Sequence, residues 1–241
     1  MHCVSNEVVK EKPTSVGFLT GINKNMKTYI ITGCTSGLGL EMTLLLLARG
    51  DKVICMNRRK ITKLNHPNCR QILGIDCTLI DAIQEFDGRV DTLILNASPN
   101  LSGYTLNEAE SEIDEALDTI VKMHLKLFNV VKKYMHNKST VVGVSSRLGS
   151  ITREYTGANV HLERPQAYKI AKAAFNMLLN IIASESGFKC HVIHPGYLNT
   201  KMGGTDGTSP NVAAYNLIRY IDNPHRYCEF KNLETKEVIP W

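Results

Sequence analysis

Short apolar runs alternate along the chain with longer stretches whose apolar residues recur every three or four positions. Tyr29-Ile30-Ile31, Val53–Met56, Ile72–Ile75, Leu93-Ile94-Leu95, Val141–Val144 and His191–His194 read as strands. Helical spacing falls between them. It covers Leu40–Ala48, a segment bearing Leu79, Ile80, Ile83 and Phe86, and residues 166–184 with Ile170, Phe175, Leu178, Leu179 and Ile182. Gly50 stops the first helix, Pro210 opens a last one with Val212, Ala213, Leu217 and Ile221, and a final strand is expected near residues 227–230. Short apolar strands spaced by helices imply a parallel sheet covered on both faces, and right-handed crossovers make it doubly wound. The expectation is a single α/β domain over residues 26–241. Residues 1–25, mostly polar, are expected to form an extension outside it.

Composition narrows the function classes. The chain has 241 residues, of which 43% are hydrophobic, which suits one α/β domain. A net charge of +5 is modest and calls for no nucleic acid. Glu108, Glu110, Glu112, Asp114, Glu115 and Asp118 precede Lys122, Lys126, Lys132, Lys133 and Lys138, the order that suits the dipole of one long solvated helix. The longest apolar run, Leu44–Ala48, cannot span a bilayer, so no membrane role is expected. Seven cysteines without CxxC or Cys/His ligand spacing suggest neither a metal site nor a disulfide framework. With no secretory pattern, this points to a reducing, cytoplasmic setting.

Thr32-Gly33-Cys34-Thr35-Ser36-Gly37-Leu38-Gly39 lies between a strand and a helix. Glycines there let the backbone approach a pyrophosphate, which the helix N-terminus stabilises. Cys34 reads as a small loop filler or, beside that N-terminus, as an activated thiol. Farther on, Tyr168 and Lys172 stand one helical turn apart. An amine in that position favours the phenolate and lowers a hydroxyl pKa of about 10. Hydride delivery to a carbonyl leaves an alkoxide, so a proton donor must stand at that oxygen. Tyr168 fits that role, and Ser146 can hydrogen-bond the same oxygen.

Four pieces in this order, TGxxxGxG from Thr32, Ser145-Ser146, Tyr168 with Lys172, and Pro195-Gly196 followed by Thr200, resemble the short-chain dehydrogenase/reductase superfamily. The run Ser145–Ile151, Ser209-Pro210 and the closing Ile239-Pro240-Trp241 resemble its C-factor and sniffer-like carbonyl reductases. The resemblance covers residues 27–241 and implies a Rossmann-type sheet and a nicotinamide cofactor. It assigns Ser146, Tyr168 and Lys172 to catalysis, with Lys172 also holding the nicotinamide ribose. It assigns Gly33, Thr35, Ser36, Gly37, Leu38, Gly39, Asp76, Cys77, Asn96, Ala97, Pro195, Gly196 and Thr200 to the cofactor. The chain departs from the family at two positions: Ser98 replaces a glycine, and His124 stands where an asparagine belongs to the proton relay. His124 either relays protons itself or is a packed core histidine.

Cofactor choice is read from Asn57-Arg58-Arg59-Lys60. Asn57 occupies the place of the acid that binds the ribose of NAD and carries no charge, while Arg58 can pair with a 2′-phosphate. The expectation is NADP(H) and the reduction of a small aldehyde or ketone. The alternatives are an NAD-linked alcohol dehydrogenase and a non-catalytic nucleotide sensor or scaffold. Pairing of copies through the long helices is implied by the resemblance alone. The segment between Ser146 and Tyr168, with Arg153, Glu154, Tyr155 and Arg164, lines the substrate mouth or is a plain surface loop.

Overall fold

The computed structural model describes residues 26–159, 165–200, 205–223 and 228–241. Seven strands form one sheet, all neighbours parallel: β1 (Thr28–Thr32), β2 (Lys52–Asn57), β3 (Cys69–Leu73), β4 (Val90–Leu95), β5 (Met135–Val144), β6 (Lys189–His194) and β7 (Phe230–Asn232). Their order is β3-β2-β1-β4-β5-β6-β7. The helices are α1 (Gly37–Ala48), α2 (Cys77–Glu85), α3 (Leu106–Leu117), α4 (Met123–Val131), α5 (Ile151–Tyr155), α6 (Gln166–Ser186) and α7 (Pro210–Asp222). The doubly wound α/β fold expected from the apolar pattern is the fold observed.

Alternation along the strands divides the core. Ile31 and Ile193 face α1 and α7, meeting Met42, Leu46 and Leu217. Ile30, Leu93 and Val192 face the other helices, meeting Leu79, Leu127, Phe175 and Leu179. Each such side chain, fully buried, contributes about 1.5–3 kcal/mol. The winding reverses between β1 and β4, so the carboxyl ends of these strands open a crevice where loops diverge.

Three expected elements differ from those found. The third strand is Cys69–Leu73 and not Ile72–Ile75, because Gly74 takes φ +80° and ends it; its polar start had no apolar signature. The last strand is Phe230–Asn232, and residue 227 lies outside the described residues. The long charged helix starts at a capping box between Thr105 and Glu108 but is not one α-helix. A π-turn, Asp118–Lys122, joins α3 to α4, with Met123 N donating to Asp118 O. Lys138 is no part of it: it lies on the exposed beginning of β5. Among the described residues no helix is long and apolar enough to cross a membrane.

Gly143 on β5 lies tightly against Leu179 of α6. A Cβ there would lie 2.1 Å from Leu179 Cδ1. Gly143→Ala is therefore expected to destabilise the fold by about 1–3 kcal/mol through overpacking, measured by urea unfolding. A neutral result would show that α6 can back away from the strand.

Candidate active site

The loop from Gly33 to Ser36 leaves β1 and enters α1. Gly33 N donates to Met56 O at 2.9 Å, and Cys34 N donates to Asn57 Oδ1 at 2.8 Å, so the end of β2 holds the loop down. Gly33 (φ +74°) and Gly37 (φ +54°) take conformations that favour glycine, and a Cβ on Gly39 would lie 2.1 Å from Gly33 O. Thr35 and Leu38 complete this loop and first turn. Ser36 caps α1 without a side-chain bond, and no acidic residue stands in the first turn, so its amide donors remain available to an anion. Cys34 is fully buried with its thiol donating to Ile31 O at 3.2 Å, the arrangement of a packed loop filler.

Around this loop the expected residues gather at the strands' carboxyl ends. Asn57 closes β2; its Nδ2 is buried and has no partner among the described residues. Arg58, Arg59 and Lys60 are exposed on the next turn. Asp76 caps α2, accepting from Thr78 N at 2.9 Å, with Cys77 exposed beside it. Asn96 Nδ2 donates to Thr32 O at 2.9 Å and Gly33 O at 3.2 Å, locking the β4 loop onto the glycine loop. A Cβ on Gly33 would come within 3.0 Å of Ala97 Cα. Ser98 Oγ is a second buried atom without a partner among the described residues. Thr200 reaches α1, its Cγ2 lying 3.4 Å from a Cβ built on Gly37. Pro195 and Gly196 follow β6, Gly196 with φ +104°.

The loop and α1 thus present a glycine cradle, open amides, an orphaned buried amide and a basic turn. This donor set fits the diphosphate and ribose of a dinucleotide. A cavity of about 650 Å³ lined by Lys27, Asp91, His136, Lys138 and Lys189 lies at the opposite ends of the strands.

The end of β5 and the helix α6 carry the side chains expected to react. Ser146 follows β5, and its Oγ accepts from Leu148 N at 3.3 Å. Lys172 is buried one turn after the half-buried Tyr168, its Nζ 5.5 Å from the Tyr168 ring centroid and 5.2 Å from that of Phe175. Its hydrogen bond among the described residues, 2.7 Å to Val144 O, does not replace the lost hydration, and burial lowers its pKa to about 7. Asn176, one further turn along, accepts from Ser145 Oγ at 2.5 Å and donates to Gly149 O at 3.0 Å. Sequence reasoning gave Asn176 no role. Its signal was a polar residue on the apolar face of α6.

His124 is fully buried against Phe175, ring centroids 5.2 Å apart. Nε2 lies 3.0 Å from Thr32 Oγ1 and Nδ1 2.8 Å from Ile120 O, so protein atoms take both nitrogens. Burial lowers its pKa to about 3. Arg153, Glu154 and Tyr155 form α5, while Arg164 and residues 201–204 lie outside the described residues. No group of three or more possible metal ligands occurs among the described residues.

The model of the short chain dehydrogenase family matches residues 27–210. The chain belongs to this family of oxidoreductases. It is similar to C-signal of Myxococcus xanthus, 34% identical over 107 residues, which is 42% of this chain and 60% of that protein, less than two thirds of its length. Its fold is that of the NADPH-bound carbonyl reductase from chicken fatty liver, with TM-score 0.76 and 23% identity over 90% of this chain and 99% of that one. It is also that of the carbonyl reductase Sniffer of D. melanogaster, with TM-score 0.71 and 21% identity over 90% and 100%.

His194, at the end of β6, is also buried, and its Nδ1 has no partner among the described residues. Burial, with Arg147, Arg153 and Lys172 nearby, lowers its pKa to about 3. The unfolded chain takes up this proton near pH 6.5 and the folded one only near 3, so stability is present above 6.5 and lost as pH falls. His194→Gln should make the fall in unfolding free energy between pH 6 and 4 shallower by about 1.4 kcal/mol per pH unit. An unchanged slope would mean that the folded ring protonates like the unfolded one.

Proposed function

We propose that this chain is an NADPH-dependent reductase of small aldehydes or ketones. The observation that carries the reading is the buried Lys172 ammonium beside the Tyr168 ring, on the helix packed against the strand that leads into Ser146. A bound nicotinamide supplies the hydride. Tyr168 gives its hydroxyl proton to the carbonyl oxygen, and the Lys172 charge favours the phenolate left behind. Ser146 Oγ accepts from Leu148 N, which leaves its hydroxyl hydrogen to donate to the same oxygen. With its pKa lowered to about 7 by burial, Lys172 is acidic enough to return a proton to the Tyr168 phenolate. Its second task is the nicotinamide ribose. His124, engaged at both nitrogens, positions Thr32 and moves no proton in this scheme.

On the nucleotide side, Asn57 Nδ2 takes the adenine ribose and Arg58 the 2′-phosphate. Asn57 leaves no carboxylate to repel that phosphate, and a chain of the same fold is known with NADPH bound. The substrate is a small molecule reaching the loops beyond β5 and β6.

Two variants test the reading. Tyr168→Phe should lower kcat with NADPH and a carbonyl panel about 10²–10⁴-fold while leaving NADPH fluorescence titration unchanged. Retained turnover would remove Tyr168 from the chemistry, and a wild type that binds NADPH without any turnover favours a sensor. Arg58→Asp should weaken NADPH about 10–100-fold and spare NADH. Equal loss with both would refute the 2′-phosphate assignment.

A further inference from the structure

We infer that the segment following β7, residues 233–241, is a clamp that positions both walls of the proposed active site; the inference rests on the reading above. After Asn232 the chain turns back antiparallel to β7. Asn232 N donates to Glu237 O at 2.9 Å, Lys231 pairs with Val238, and Ile239 N donates to Phe230 O at 2.7 Å. Ile239 is buried in the core, and Trp241 stacks on Phe230 with centroids 5.5 Å apart. The segment is thus anchored to the sheet and offers its remaining groups outward.

One wall is the loop after β6. The Glu234 carboxylate accepts from Tyr197 N at 3.3 Å and from Thr208 Oγ1 at 2.7 Å. Tyr197 and Thr208 stand on either side of Thr200 in the chain and are joined by Thr208 N to Tyr197 O at 2.7 Å. One carboxylate therefore staples both positions. The fit leaves no slack: a Cβ on Gly196 would lie 2.8 Å from Glu234 Oε2.

The other wall follows β5. Pro240 O accepts from Ser150 Oγ at 2.6 Å, and Trp241 O accepts from Thr152 N at 2.9 Å and Thr152 Oγ1 at 2.5 Å. Glu237 pairs with Arg153. Ser150 and Thr152 lie four and six residues after Ser146, in the turn and helix that lead away from it. From the far side, Glu154 accepts from Lys169 Nζ at 2.9 Å, next to Tyr168. The same short segment thus sets the Thr200 loop through Glu234 and the Ser146 side through Ser150 and Thr152. These are positioning residues; the reacting groups remain Ser146, Tyr168 and Lys172.

The test uses the full chain, with NADPH Kd by fluorescence, KM and kcat for a carbonyl turned over by the wild type, melting temperature, and amide hydrogen exchange. Glu234→Ala should raise the NADPH Kd about tenfold, whereas Glu234→Gln, able to accept from Tyr197 N and donate to Thr208 Oγ1, stays within about threefold. Thr152→Val should raise the carbonyl KM about tenfold with NADPH Kd unmoved, and Thr152→Ser should restore it. In the damaging variants, exchange should quicken at Tyr197, Asn199 and Thr208, or at Leu148 and Thr152, respectively. Variants that lower only the melting temperature, with Kd, KM and local exchange as in the wild type, would overturn the clamp. A wild type that binds no NADPH strikes the proposed function instead; unchanged exchange in the variants would still overturn the clamp.

Discussion

The Thr32 hydroxyl is buried where β1, β4 and the long helix converge, and it must serve three partners with one hydrogen and two lone pairs. Asn96 N donates to it at 2.8 Å and Ala97 N at 2.9 Å, so its hydrogen goes to His124 Nε2 at 3.0 Å. That places the ring's single N–H proton on Nδ1, which donates to Ile120 O. A chain of directed bonds runs from the β4 loop through the end of β1 into the helix, with every polar atom satisfied. A buried group left unpartnered costs about 1–3 kcal/mol, so removing any member unsettles the others. The glycine loop begins one residue after Thr32, and its position follows from this knot.

A second constraint stands opposite. Lys172 is taken out of water by the close approach of α6 to β5 and to the turn after Ser146. A Cβ on Gly149 would lie 2.8 Å from Lys172 carbonyl carbon, as one on Gly143 would meet Leu179. Two glycines thus let the helix bring its amine against the end of the strand. Burial makes the ammonium costly, and that cost is what brings its proton affinity near neutrality. The packing that holds α6 in place is thus the same packing that sets the proton affinity of the amine it carries.

Much of this was legible from residue order. The apolar runs of β1, β4, β5 and β6 marked the central strands because burial on both faces leaves little room for polar residues. The edge strands β3 and β7 carry mixed residues and were misplaced. The glycine loop, Ser146, Tyr168 and Lys172 were readable because local spacing creates their geometry: a turn, a strand end, one helical turn. Asn176, Glu234 and the bonds of Ser150 and Thr152 were not. Their partners lie 31, 37, 90 and 89 positions away for Ser145, Tyr197, Pro240 and Trp241, and no local pattern announces such contacts. His124 lay between these cases: its position was visible, but the partners that occupy both its nitrogens came only with the fold.

The π-turn at Asp118–Lys122 accommodates one more residue than an α-helix would, and each residue advances a helix by about 100°. Upstream of it, α3 presents Ala109 and Ala116 to the core; downstream, α4 presents His124, Leu127 and Val131. The two faces share one core because the wide turn absorbs the phase difference. Wound as one continuous α-helix, a chain of this length would carry His124 about 80° away from the face of Ala116, eight residues at about 100° each, and one of the two would leave the interior. Shortened by a single residue there, it would keep both faces in phase and need no wide turn. The length of this helix, counted in single residues, is therefore as much inherited information as the identity of any side chain on it.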